Sequence, residues 1–187
     1  MAGQMTDGRG VNAWRVAGWG LAAALLATPL VAIQFPDEVR WGPLDFAVAA
    51  VLIGGLGLGI EFAIRRSTSP WYRLGAALAA LTAFLTIWVN LAVGFIGDED
   101  NPANLLFAGV LLVALIGALA ARVRAKGMAA AMAATGAAQL LAAGAALFLT
   151  GPVRPVEILL TAAFAAPWLV SALLFRLAAE KEAAPLV

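Results

Sequence analysis

The chain has no cysteine and no histidine. The first absence excludes disulfides, cysteine-held iron–sulfur clusters and thiolate nucleophiles. The second excludes imidazole acid–base catalysis, a Ser-His-Asp set and His-ligated haem, and together they leave zinc without its usual ligands. Charge is scarce as well. Only 12% of the 187 residues are Asp, Glu, Lys or Arg, and they nearly cancel, to a formal +1. Hydrophobic residues make up 63% and the mean hydropathy is +0.93, whereas soluble domains are about 45–50% apolar. A water-soluble globular fold is excluded, and a small multi-span membrane protein remains.

A hydrocarbon core of about 30 Å takes roughly 20 apolar residues in helical form. Six charge-poor runs meet that length, over 14–35, 44–64, 73–96, 103–121, 127–149 and 156–176. Each gap between them carries charges, proline or glycine. A barrel would need alternating polarity along each strand, and none is seen. The expected fold is an all-α integral membrane protein, one transmembrane domain over 1–187, its six helices forming three helical hairpins.

Lysine and arginine set the expected orientation. Ten of the twelve, among them Arg9, Arg65, Arg66, Arg122, Arg124, Lys126 and Lys181, fall on the side that holds both termini. Arg40 and Arg154 alone fall on the other, so both termini are expected in the cytoplasm. Trp14, Trp71 and Tyr72 stand at the inner interface and Trp41 at the outer one, as an aromatic belt requires. The first span follows Arg9 and Arg15 and could be read as a signal peptide. Its candidate cleavage region, Leu30-Val31-Ala32, lacks small residues at both required positions, so an uncleaved span is expected.

The outer loops are acidic. Asp37, Glu38, Asp45, Asp98, Glu99, Asp100 and Glu157 against two arginines give that face −5, and the inner face +6. Such a mouth could attract cations or a basic partner. A plainer reading needs only helix dipoles. Spans two, four and six begin on the outside, where carboxylates favour a helix N-terminus, and they end among arginines. Pro43, Pro102 and Pro155 are placed as first-turn prolines.

Several motifs fail on spacing. Asn101-Pro102-Ala103 is the tripeptide of water channels, but that pore needs two copies, and an N-cap Asn followed by proline explains it. Asp98, Glu99 and Asp100 are the candidates for a divalent metal; an EF-hand counted from Asp98 would put Ala103 and Gly109 where Gly and Glu are required. The glycines of 54–59 sit within a span and lack the strand and Lys-Ser/Thr of nucleotide loops. Gly55 and Gly59 form instead a GxxxG pair for close helix packing, as do Ala134, Ala138 and Ala142 in the row from Ala130 to Ala146. Met128 and Met132 could offer thioethers to Cu(I), but core packing needs less.

No charge lies near the middle of any span. Glu61 stands four residues before Arg65, the better orientation for a helical ion pair. Among the uncharged polar residues, Gln139, with Thr135 one turn away, and Asn90, with Thr86 one turn away, stand out. They are expected to hydrogen-bond across helix contacts, or else to line a path for a small solute.

Three segments carry a resemblance: residues 35–43, residues 96–105 and Ala121-Arg122 with Gly127-Met128-Ala129. Together they resemble a group of small proteobacterial inner-membrane proteins with no known activity, over roughly residues 13 to 178. The resemblance implies a bacterial inner membrane and supplies no functional residue. No catalytic set, cofactor motif or nucleic-acid-binding patch is expected. The expected role is that of a non-enzymatic accessory, assembly or scaffold component, its partners being the bilayer, other membrane proteins or itself. The alternatives are a small-solute or ion conduit and, behind it, a metal-assisted enzyme acting on lipid.

Overall fold

The computed structural model describes residues 7–32, 42–149 and 154–183, with backbone alone over 7–14 and 28–32. These residues are helices and turns, in two compact units, 1–58 and 59–187.

The first unit holds α1 (Asp7–Ala32) and the first part of α2 (Pro43–Arg66). Proline suits the opening of α2 because the first helical N–H has no acceptor in any case. Asp45, two residues on, accepts a 2.7 Å hydrogen bond from the Gly42 N–H and fixes that start. A Cβ on Gly57 would stand 3.1 Å from the Trp19 ring, so glycine lets α1 and α2 approach there.

The second unit holds the end of α2, then α3 (Pro70–Ala92), a 3-10 turn (Pro102–Asn104), α4 (Leu105–Ala120), α5 (Ala125–Leu149), α6 (Pro155–Ala163) and α7 (Ala165–Ala183). Helix α5 packs on both α4 and α7, and α7 packs in turn on α3. One core, around Tyr72, Met128, Met132, Trp168 and Phe175, joins α3, α5 and α7. A second, around Phe95, Phe107, Val110 and Ala146, sits at the opposite end.

Among the described residues, five helices are long and apolar enough to cross a membrane: α2, α3, α4 with its 3-10 turn, α5, and α6 with α7. In α1 the apolar stretch with described side chains is the shorter Arg15–Ala27.

The helix ends differ from the hydropathy reading for local reasons. The third span, expected over 73–96, runs from Pro70 to Ala92. Ser69 caps its start by accepting from the Tyr72 N–H. Arg73 sits inside the first turn because its guanidinium reaches back to the carbonyls of Ser67 and Ile64, at 2.7 and 3.1 Å. At the other end Gly94 adopts φ +72° and donates to the Val89 carbonyl, which stops the helix. Phe95 and Ile96 then fold back into the core. The sixth span, expected over 156–176, is two helices that break at Phe164. Pro167 follows three residues later, with no N–H to carry the helix through. Helix α7 also runs on to Ala183, held by Arg176–Glu180 at 2.9 Å and by Lys181 over the Trp71 ring.

Candidate functional site

The polar residues of the spans are drawn into helix contacts. Gln139 is fully buried on α5, and its Nε2 donates to the Thr161 carbonyl at 3.0 Å, one turn before the α6–α7 break. Backbone freed near a proline break in lipid needs such a neighbour. Ser171 on α7, not singled out by the sequence, donates to the Gly75 carbonyl of α3 at 2.8 Å. Gly75 permits that approach: a Cβ there would meet Leu174, Phe175 and the Ser171 carbonyl, each at 3.3 Å. Thr82, Thr86 and Thr135 return their hydroxyls to carbonyls one turn back, at 2.7 to 2.8 Å. Two amide oxygens stand apart. Gln139 Oε1 and Asn90 Oδ1 are enclosed and have no hydrogen-bond partner among the described residues.

The small residues are distributed differently from the i, i+4 reading. Each step of four residues turns about 40° around a helix, so a row of five alanines wanders by about 160°. Ala142 and Ala146 are buried accordingly, Ala138 is half-buried, and Ala130 and Ala134 are uncovered. The buried stripe of α5 is Met128, Ala131, Met132, Thr135, Gln139, Ala142 and Ala146. On α2, nothing lies within 4 Å of a Cβ built on Gly55, and one on Gly59 would meet the Ala80 methyl at 3.7 Å. Closer approaches occur at Gly117, where a Cβ would stand 2.7 Å from Ala131, and at Gly136, 2.7 Å from Leu169.

The acidic loop between α3 and α4 is organised by Asn104 rather than by its carboxylates. The buried Asn104 accepts from the N–H groups of Phe95 and Ile96 at 2.9 and 3.0 Å. It donates to the carbonyls of Ile96 and Asp98 at 3.3 and 2.6 Å. Asn101 accepts from the Ala103 N–H at 3.0 Å and caps the 3-10 turn that opens with Pro102. The side chains of Asp98, Glu99 and Asp100 are exposed. Among the described residues no three carboxylates gather as metal ligands would. Glu157 pairs with Arg154 and accepts from the Gly97 N–H. Asp37, Glu38, Arg40 and Trp41 lie outside the described residues. Glu61 holds Arg65 at 2.5 Å.

At the other end of the second unit lies a half-open cleft of about 390 Å³, walled by Arg66, Tyr72, Arg124, Lys126 and Glu182. Its shape depends on the α4–α5 turn, where Arg122 and Val123 adopt φ +47° and +55°. A β-branched residue rarely takes that conformation. The Tyr72 hydroxyl holds it there by donating to the Val123 carbonyl at 2.7 Å.

Comparison with known proteins finds no family model, no curated protein and no solved structure that matches the chain. What fold and site define is a class: an α-helical chain with several helices fit to cross a membrane.

Proposed function

We propose that the chain is a six-span protein of a bacterial inner membrane with both termini in the cytoplasm, where it serves as a non-enzymatic accessory or scaffold component. The observation that carries this reading is the fate of the intramembrane polar groups. Gln139, Thr135 and Ser171 are fully buried with their donors engaged, whereas the buried Thr161 hydroxyl has no partner among the described residues. Gln139 and Ser171 bind backbone carbonyls of a neighbouring helix, α6 and α3 respectively. Polar chemistry spent on helix contacts favours a protein that acts by packing. The uncovered Ala130 and Ala134 of α5 offer small-residue surface where a further helix could approach closely, and Gly55 on α2 separately does the same within the first unit.

The unpartnered amide oxygens of Gln139 and Asn90 favour a second reading, a conduit for a small solute or ion. Replacing each by leucine separates the two. A packing role predicts lower thermal stability, or loss of the proteins that co-purify after mild extraction. A conduit predicts lost flux in proteoliposomes with stability retained, which would sink the scaffold reading.

A further inference from the structure

Six of the cations at the cleft end of the bundle fall into two groups. Arg65, Arg73 and Arg176 are satisfied internally, by Glu61, by the carbonyls of Ser67 and Ile64, and by Glu180. Arg66, Arg124 and Lys126 all line the cleft. Among the described residues, no hydrogen bond or ion pair engages their side chains. A topological rule for positive charge explains why cations lie at this end, but not why Arg66, Arg124 and Lys126 gather around one cavity while Arg122 stays outside it. Two further features converge there. Helix α5 starts at Ala125 in the wall of the cleft and has no acidic residue in its first turn, so its N-terminal N–H groups keep their positive end uncompensated. The left-handed turn at Arg122 and Val123, held by Tyr72, leads directly into Arg124 and Lys126.

We infer that this cleft binds a phosphate group, with Arg66, Arg124 and Lys126 as its cationic partners and the start of α5 as a backbone donor. Arginine gives such a site bidentate geometry, and lysine adds a point charge. Among the described residues Glu182 is the one acid in the wall and opposes an anion, so it sets a ceiling on affinity. The cleft lies at the ends of α2 and α7 and the starts of α3 and α5, the level at which a span leaves hydrocarbon and meets headgroups. A volume of about 390 Å³ accommodates a glycerophosphate headgroup as readily as a free phosphate. This inference stands on the cleft alone and does not depend on the scaffold reading.

The test uses the full chain in a neutral detergent. Two probes are titrated at constant ionic strength, inorganic phosphate and dihexanoylphosphatidylglycerol, and binding is read by calorimetry. Saturable binding of one equivalent of either probe is expected. Phosphatidylglycerol alone binding identifies a lipid headgroup, and inorganic phosphate competing with it identifies a soluble phosphate. The double variant Arg124→Gln/Lys126→Gln should weaken binding by about tenfold or more, since each interfacial cation contributes about fivefold. Glu182→Gln should strengthen it by about threefold, a gain that misfolding cannot mimic. Arg176→Gln, outside the cleft lining, should leave it within about twofold. The inference fails if neither probe saturates, if Arg176→Gln weakens binding as much as the double variant, or if Glu182→Gln leaves it unchanged.

Discussion

Asn104 shows how a single side chain decides a loop. It makes four hydrogen bonds to backbone groups of Phe95, Ile96 and Asp98, and it is buried, so water cannot replace them. Asn104→Ala should therefore lower the unfolding free energy by about 2–4 kcal/mol, the sum of several lost bonds and stranded backbone groups. Asp98→Ala should change it by less than about 0.5 kcal/mol, because the loop uses the carbonyl of Asp98 and leaves its carboxylate exposed. Equal effects in denaturant titrations of the two variants would overturn this account. Gln139 was legible in the sequence because an amide in mid-span must find a partner. Asn104 was not, since an asparagine shortly after proline in an acidic loop reads as one more capping residue. Ser171 was hidden for a related reason: a hydroxyl can return to its own helix, and only the fold shows that Gly75 lies within its reach.

At the scale of helices, hydropathy located the five helices long and apolar enough to cross a membrane, with most of their punctuation. Pro43, Pro102 and Pro155 open their elements, and Asp45 and Glu157 occupy first turns. The break at Phe164 follows from Pro167, which disfavours a continuous helix there, whereas the early end of α3 was beyond hydropathy because it turns on the backbone of one residue, Gly94. Facial register was the least legible property. In a helix that is apolar on all sides, composition does not reveal which alanines face protein. The structure makes a sharp contrast on α5, where Ala142 is buried and Ala134 is not. Ala142→Leu should destabilise the isolated chain by about 1–3 kcal/mol through overpacking. Ala134→Leu should leave the isolated chain within about 0.5 kcal/mol of wild type. If α5 carries a partner on its open face, Ala134→Leu should also release that partner in mild-detergent pull-downs while the fold survives. A thermal melt and a pull-down on the same preparation read both effects, and a destabilised Ala134→Leu chain would show that this face is already covered.

For the whole molecule, the open question is parity, and it turns on α1. Five helices qualify as spans on their described side chains, whereas α1 contributes a shorter apolar stretch within a 26-residue helix. Five crossings place the termini on opposite sides, and six place them on the same side. The charge distribution argues for six, because Arg9 and Arg15 in the first part of α1 share their sign with Arg65-Arg66 at the end of α2, with Arg122 and Arg124 after α4 and with Arg176 within α7. The absence of native cysteine makes the test direct, since every introduced thiol is the only one in the chain. Gln4→Cys, Glu99→Cys and Glu182→Cys probe the N-terminal segment, the α3–α4 loop and the end of α7. A membrane-impermeant maleimide added to intact cells should label Glu99→Cys alone, and all three after permeabilisation. Labelling of Gln4→Cys together with Glu99→Cys in intact cells would mean that α1 does not cross with its N-terminus inside, and the six-span reading would fall. Intact mass of the purified chain completes the test. A mass short by the first thirty or so residues would show α1 removed as a signal sequence, leaving five crossings and moving the mature N-terminus to the face that carries Glu99.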